Sequence, residues 1–227
     1  MTDVIAHRGL HLTIRENTVE AFRSAVAIGA AGIELDARRT ADGALVVHHD
    51  AHLPDGRAIV GCLRADLPEW VPELPQALDA CSGAFVNIEI KNSVQEPDFD
   101  GDDGVADAVM ELLASRDEPA STWLMSSFRI ETVDRCRAID SNVATAWLTA
   151  GPVGDAEVAD LVDRGHAAVH PWDPTVDEAM IERCHAAGIR VNAWTCNDAA
   201  RAAELASWSI DGICTDIPGD VIAALDA

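Results

Sequence analysis

The chain has 227 residues, 48% of them apolar, and a formal net charge of −23 at pH 7. A chain of this length can bury a full core, in one large domain or two small ones, and its apolar content excludes a disordered polymer. The charge argues against nucleic acid or an anionic membrane as a partner, and no apolar run reaches the length of a membrane-spanning helix.

The opening MTDVIAHRG has neither the basic start nor the apolar core of a secretory signal, so the expected location is cytoplasmic. Six singly spaced cysteines (Cys62, Cys81, Cys136, Cys184, Cys196, Cys214) then read as reduced thiols rather than disulfides or zinc ligands. In chain order, β-branched or apolar runs predict strands at 3–7, 32–37, 85–91, 122–127, 142–148, 167–171, 190–195 and 211–215. Amphipathic stretches at 18–30, 74–83, 103–116, 128–139, 155–165, 175–188 and 198–208 alternate with them, several stopping on Gly as helix ends do. Strand–helix units without a linker or repeat predict one domain over 1–227, an α/β chain folded as a TIM-type (β/α)8 barrel. Periodicity counts strands without showing closure, which leaves an open doubly wound sheet as the alternative. Asp42-Gly43, between two extended runs, signals a two-residue hairpin. Residues 44–49 are therefore expected as an antiparallel arm on the second strand, with position 36 facing position 49.

In such a barrel, functional groups sit at the C-terminal ends of the strands. Those ends carry His7-Arg8, then Glu34 and Asp36, then Glu89 and Lys91. Residues two apart on a strand share a face, so Glu34 joins Asp36 and Glu89 joins Lys91, the only lysine of the chain. One such acid alone is best read as a salt-bridge partner of Arg8, Arg38 or Lys91. Three acids converging on one mouth repel unless protonated or bound to a cation, and an all-oxygen set suits Mg²⁺ or Ca²⁺. His7 ends a strand beside these acids, and the hairpin register brings back His49 as a second imidazole, with His48 facing away. Two imidazoles flanking a cation suit paired acid and base chemistry, with Arg8 and Lys91 as positive charge for an anionic substrate. His11, His52, His166 and His185 read as solvated, and Trp194 as a candidate wall of the pocket.

The segments HRG, ENTVEAF, GIELDARRTADGALVVHHD, VNIEIK, SSF, VNAWTCN and DGICTDIP together resemble the successive motifs of the glycerophosphodiester phosphodiesterases, from residue 5 to about 218. The resemblance implies a TIM-type barrel that hydrolyses glycerophosphodiesters to glycerol 3-phosphate and an alcohol with a divalent cation. It further implies His7 and His49 as the acid–base pair, Glu34, Asp36 and Glu89 as metal ligands, and Arg8 and Lys91 as contacts to phosphate or ligand. The stretch PDGRAIVGCLRADLPEW is shorter than the family's usual insertion, a departure that touches the leaving-group side of the pocket. The expected partner is a small phosphodiester, with no nucleic acid and no stable membrane association. The rivals are a lysophospholipase D on the same scaffold and a non-catalytic phosphate-binding module.

Overall fold

β1 (Asp3–Ala6) opens a computed structural model that describes residues 1–226. It is followed by α1 (Val19–Ala27), β2 (Gly32–Arg39), β3 (Leu45–Val47), α2 (Leu74–Ala80) and β4 (Phe85–Ile90). From there strand and helix alternate: α3 (Gly104–Ala114), β5 (Trp123–Ser127), α4 (Ile130–Ile139), β6 (Ala144–Thr149), α5 (Asp155–Arg164) and β7 (Ala168–Pro171). The chain ends with α6 (Glu178–Ala186), β8 (Arg190–Ala193), α7 (Ala199–Ser207), β9 (Gly212–Thr215) and α8 (Pro218–Leu225).

β1 decides the architecture. It pairs in parallel with β9 through Asp3 to Ala6 and with β2 through Ile5 and Ala6, so the eight parallel strands close on themselves. This is the TIM barrel, and the open doubly wound sheet is excluded. Strand parity sorts the side chains. Ile33, Leu35 and Ala37 of β2 are buried in one cluster with Phe22 of α1 and Leu74 and Leu78 of α2, while Glu34 and Asp36 alternate with them toward the barrel axis. A second cluster joins Val169, Val191 and Ile213 of the later strands to Leu161, Ile181 and Leu205 of their helices. Removing a side chain such as Phe22 from water contributes about 1.5–3 kcal/mol. The excursion between β3 and α2 makes a small core of its own from Val46, Leu53, Ile59, Leu67 and Val71. All six cysteines are free and buried. Among the described residues no helix is long and apolar enough to cross a membrane.

The hairpin corrects one expectation. β3 does pair antiparallel with β2, but Ala37 faces Val47, Arg38 faces Val46 and Arg39 faces Leu45. Asp36 is therefore met by His48, whose N–H donates to the Asp36 carbonyl at 3.0 Å, and not by His49. The cause lies in the turn, where Thr40 and Ala44 are bonded and three residues separate them. The Thr40 hydroxyl donates to Asp42 at 2.6 Å, and Gly43 takes a φ of +84°, the left-handed conformation glycine adopts without a Cβ clash. The extra turn residue slips the register by one.

Candidate active site

β1 stops at His7 because the next two residues leave extended space, Arg8 with φ +55° and Gly9 with φ +82°. Gly9 is required there, since a Cβ would lie 2.7 Å from the Ala21 carbonyl carbon of α1. The bend turns the Arg8 N–H onto Glu34 Oε2 at 3.0 Å. On the neighbouring strand Asp36 stands level with Glu89, and ligand oxygens of Glu34, Asp36 and Glu89 lie within 4.8 Å of one another. Glu34 and Asp36 are 3% and 0% exposed, and Glu34 Oε1 and Asp36 Oδ1 accept no hydrogen bond. Buried carboxylate oxygens without donors are costly. They are the donor set a hard dication would satisfy, and the residues fit such an ion.

Positive groups of the chain meet part of this charge. Lys91 Nζ lies 2.7 Å from Glu89 and 3.3 Å from Asp36, Arg8 Nε lies 3.5 Å from Asp36 Oδ2, and the Asn17 amide donates to the same oxygen at 2.7 Å. Burial works against the Asp36 carboxylate, but Lys91 and Arg8 outweigh it and hold its pKa well below the usual range. Glu34 lacks that compensation. Burial, reinforced by the Asp36 charge, pushes its carboxyl from 4.5 up to about 8. Arg38, a third candidate partner for the acids, pairs with Glu96 and Asp98 instead.

Both predicted imidazoles are backed by a carboxylate. His7 Nδ1 donates to Asp216 Oδ1 at 2.6 Å, and because a carboxylate only accepts, Nε2 is left free and faces Glu34 Oε2 at 4.0 Å. Burial alone would lower the His7 pKa, but Asp216 and Glu34 raise it above the ordinary value. His49 leaves the hairpin after β3 has ended and donates from Nδ1 to Asp50 at 2.7 Å. It lines a groove with Glu89, Lys91, Ser127 and Phe128, so it stands at the mouth by a bend beyond the strand rather than by hairpin register. His48 does not line this groove; its ring lies 5.7 Å from the Trp70 ring and its Nδ1 donates to the Asp50 carbonyl at 2.8 Å. Trp194 lines a second pocket with His7, Glu34, Glu89 and His170, is anchored by its indole N–H on the His170 carbonyl at 2.8 Å, and meets Phe128 edge-on at 5.2 Å.

Sequence reasoning passed over several neighbours. Asp216, held in turn by the Asn197 amide at 2.6 Å, directly follows β9 and is legible in the sequence only as one strand-end acid among many. His11, expected in solvent, donates to Asp216 at 3.1 Å. His166, also expected in solvent, is buried against Thr145 and Asp134. Asn17, buried at the start of the α1 approach, carried no signal beyond its place in ENT.

Residues 7–220, which include every group above, match the glycerophosphoryl diester phosphodiesterase family. The chain belongs to this family. Among its family relatives, a probable glycerophosphodiester phosphodiesterase 2 of Mycobacterium tuberculosis is 29% identical over 93% of this chain and 86% of its own. A glycerophosphodiester phosphodiesterase of Caldanaerobacter subterraneus is 26% identical over 97% and 96%. An Oleispira antarctica phosphodiesterase, solved in complex with the product sn-glycerol-3-phosphate, is similar with a TM-score of 0.89 at 26% identity, covering 100% of this chain and 98% of that one. The protein is accordingly an enzyme of the glycerophosphodiester phosphodiesterase class.

Proposed function

We propose that the protein hydrolyses glycerophosphodiesters to glycerol 3-phosphate and an alcohol, using one divalent cation, Mg²⁺ or Ca²⁺, and His7 with His49 as proton carriers. One observation carries this reading: three buried carboxylates lie at one barrel mouth, with an Asp-backed imidazole on either side. A cation held by Glu34, Asp36 and Glu89 would neutralise phosphate charge and act as a Lewis acid. Arg8 and Lys91 are the cationic side chains positioned for the phosphate, and Trp194 is the apolar wall beside it.

In the chemistry, a P–O bond forms to the nucleophile and the P–O bond to the leaving alcohol breaks, with net addition of water. One imidazole accepts at Nε2 the proton of the nucleophile, either water or the glycerol hydroxyl next to the ester. The other gives a proton from Nε2 to the departing alkoxide oxygen. Each transfer is typically worth about 10² to 10⁴ in rate. Asp216 and Asp50 hold the two rings in the tautomer that leaves Nε2 free, and each stabilises its ring when it is charged.

The test compares glycerophosphocholine with lysophosphatidylcholine, with and without a chelator. The expected result is turnover of the first alone, lost with chelator and restored by Mg²⁺ or Ca²⁺. Full activity in metal-free protein overturns the cation reading. Turnover of lysophosphatidylcholine moves the assignment to a lysophospholipase D, and turnover of neither moves it to a binding module.

A further inference from the structure

Arg38 continues the inward row of Glu34 and Asp36, two residues further along β2. It is 0% exposed, rare for an arginine unless every donor is used. Its donors go to two places. Nε donates to the His49 carbonyl at 3.0 Å and the His48 carbonyl at 3.2 Å, and Nη2 donates to the His49 carbonyl at 2.5 Å. Nη2 also meets Glu96 at 3.0 and 3.1 Å, and Nη1 meets Asp98 at 2.5 Å. His48 and His49 lie just past the end of β3, where the His48 N–H still reaches the Asp36 carbonyl of β2 and the His49 backbone is beyond the ladder. Among the described residues, the only hydrogen bonds made by the His49 backbone are those its carbonyl accepts from Arg38. Glu96, held by the same Nη2 that reaches the His49 carbonyl, lines the groove in which His49 stands.

We propose that Arg38 is a positioning residue that locks His49 and the 93–98 segment together as one wall of the substrate groove. The inference rests on the acid–base role of His49 stated above. Stability alone is a weak reason for this arrangement, because burying a guanidinium with two carboxylates costs desolvation that their attraction often fails to recover. What the fork provides is geometry. Its planar, divergent donors span two carbonyls and two carboxylates at once, which a lysine ammonium on a flexible stem does not. Without it the His49 backbone is free to drift, and a displacement of about 1 Å can cost about 100-fold in rate.

The decisive variant is Arg38→Lys, assayed well below its unfolding temperature. kcat should fall about 10- to 100-fold, while KM and the calorimetric affinity for Ca²⁺ stay within about threefold, because Glu34, Asp36 and Glu89 are untouched. In metal-free protein the ¹⁵N ring signals of His49 should move or broaden and those of His7 should not. A second variant, Arg38→Gln with Asp98→Asn, removes the buried pair together and should show the same kcat loss if Arg38→Lys fails to fold. A folded Arg38→Lys protein with wild-type kcat and unchanged His49 signals overturns the proposal. So do a parallel loss of kcat and Ca²⁺ affinity, or failure of both variants to fold. The acid–base reading fails separately: an active His49→Ala enzyme would refute it, while the ring signals would still score Arg38.

Discussion

Glu34 is the residue whose chemistry depends most on its surroundings. Burial beside the Asp36 charge raises its carboxyl from 4.5 to about 8, which favours the protonated form in the metal-free protein. A raised acid favours the folded state below the unfolded value, so this contribution is complete below about pH 4.5 and is lost as pH rises through about 8. In chelator, the unfolding temperature should decline across that window more steeply than that of Glu34→Gln. Cation binding must also displace the proton. At pH 7, calorimetry in buffers of different ionisation enthalpy should find close to one proton released per ion, fading above about pH 8 and absent in Glu34→Gln. The adjacent histidines give a second contrast. His49 lines the groove with Glu89 and Lys91, whereas His48 lies against Trp70. His49→Ala should lower kcat by about 10² to 10⁴, and His48→Ala should keep kcat within about tenfold. The reverse ranking would show that the bend after β3 presents the wrong imidazole.

The hairpin is the element where local chemistry overrode the expected pattern. β4 occupies one edge of β2, and β1 and β3 share the other, β1 along Gly32 and Ile33 and β3 along Ala37 to Arg39. The arm therefore descends toward the tip of β1, which is how His49 and His7 come to flank the same acids. Gly43 sets the turn in open space, with no atom within 4 Å of a Cβ built there. Gly43→Ala meets no clash and pays only for positive φ, so it should cost about 1 kcal/mol in urea unfolding. A cost near zero would mean the turn relaxes to another conformation.

At the scale of the molecule, the chain carries a net charge of −23, and the proposed substrate brings an anionic phosphate to it. Long-range repulsion slows the approach of a substrate with net negative charge, and salt screens it over a Debye length of about 10 Å at 0.1 M. Raising ionic strength from about 0.01 to 0.15 M at fixed cation should therefore increase kcat/KM for glycerophosphoglycerol. The zwitterion glycerophosphocholine should change much less. Equal responses would mean that Lys91 and Arg8 set the local field alone.

The sequence by itself determined the alternation of strands and helices, because hydrophobic periods of about two and 3.6 are written over a few neighbouring residues. Parity along one strand also made the row Glu34, Asp36 and the pair Glu89, Lys91 legible. Tertiary structure alone decided closure, since β1 meets β9 across almost the whole chain. It alone set Asp216 behind His7, 209 positions away, and brought Glu96 and Asp98 to Arg38 across about sixty residues. The hairpin register is a separate case: it was set locally, by a Thr40–Asp42 hydrogen bond and one left-handed glycine that added a residue to the turn, a detail of turn chemistry finer than hydrophobic periodicity. Periodicity is a local property of the chain. Which polar groups satisfy one another once buried depends on which distant elements meet, and no local pattern carries that information.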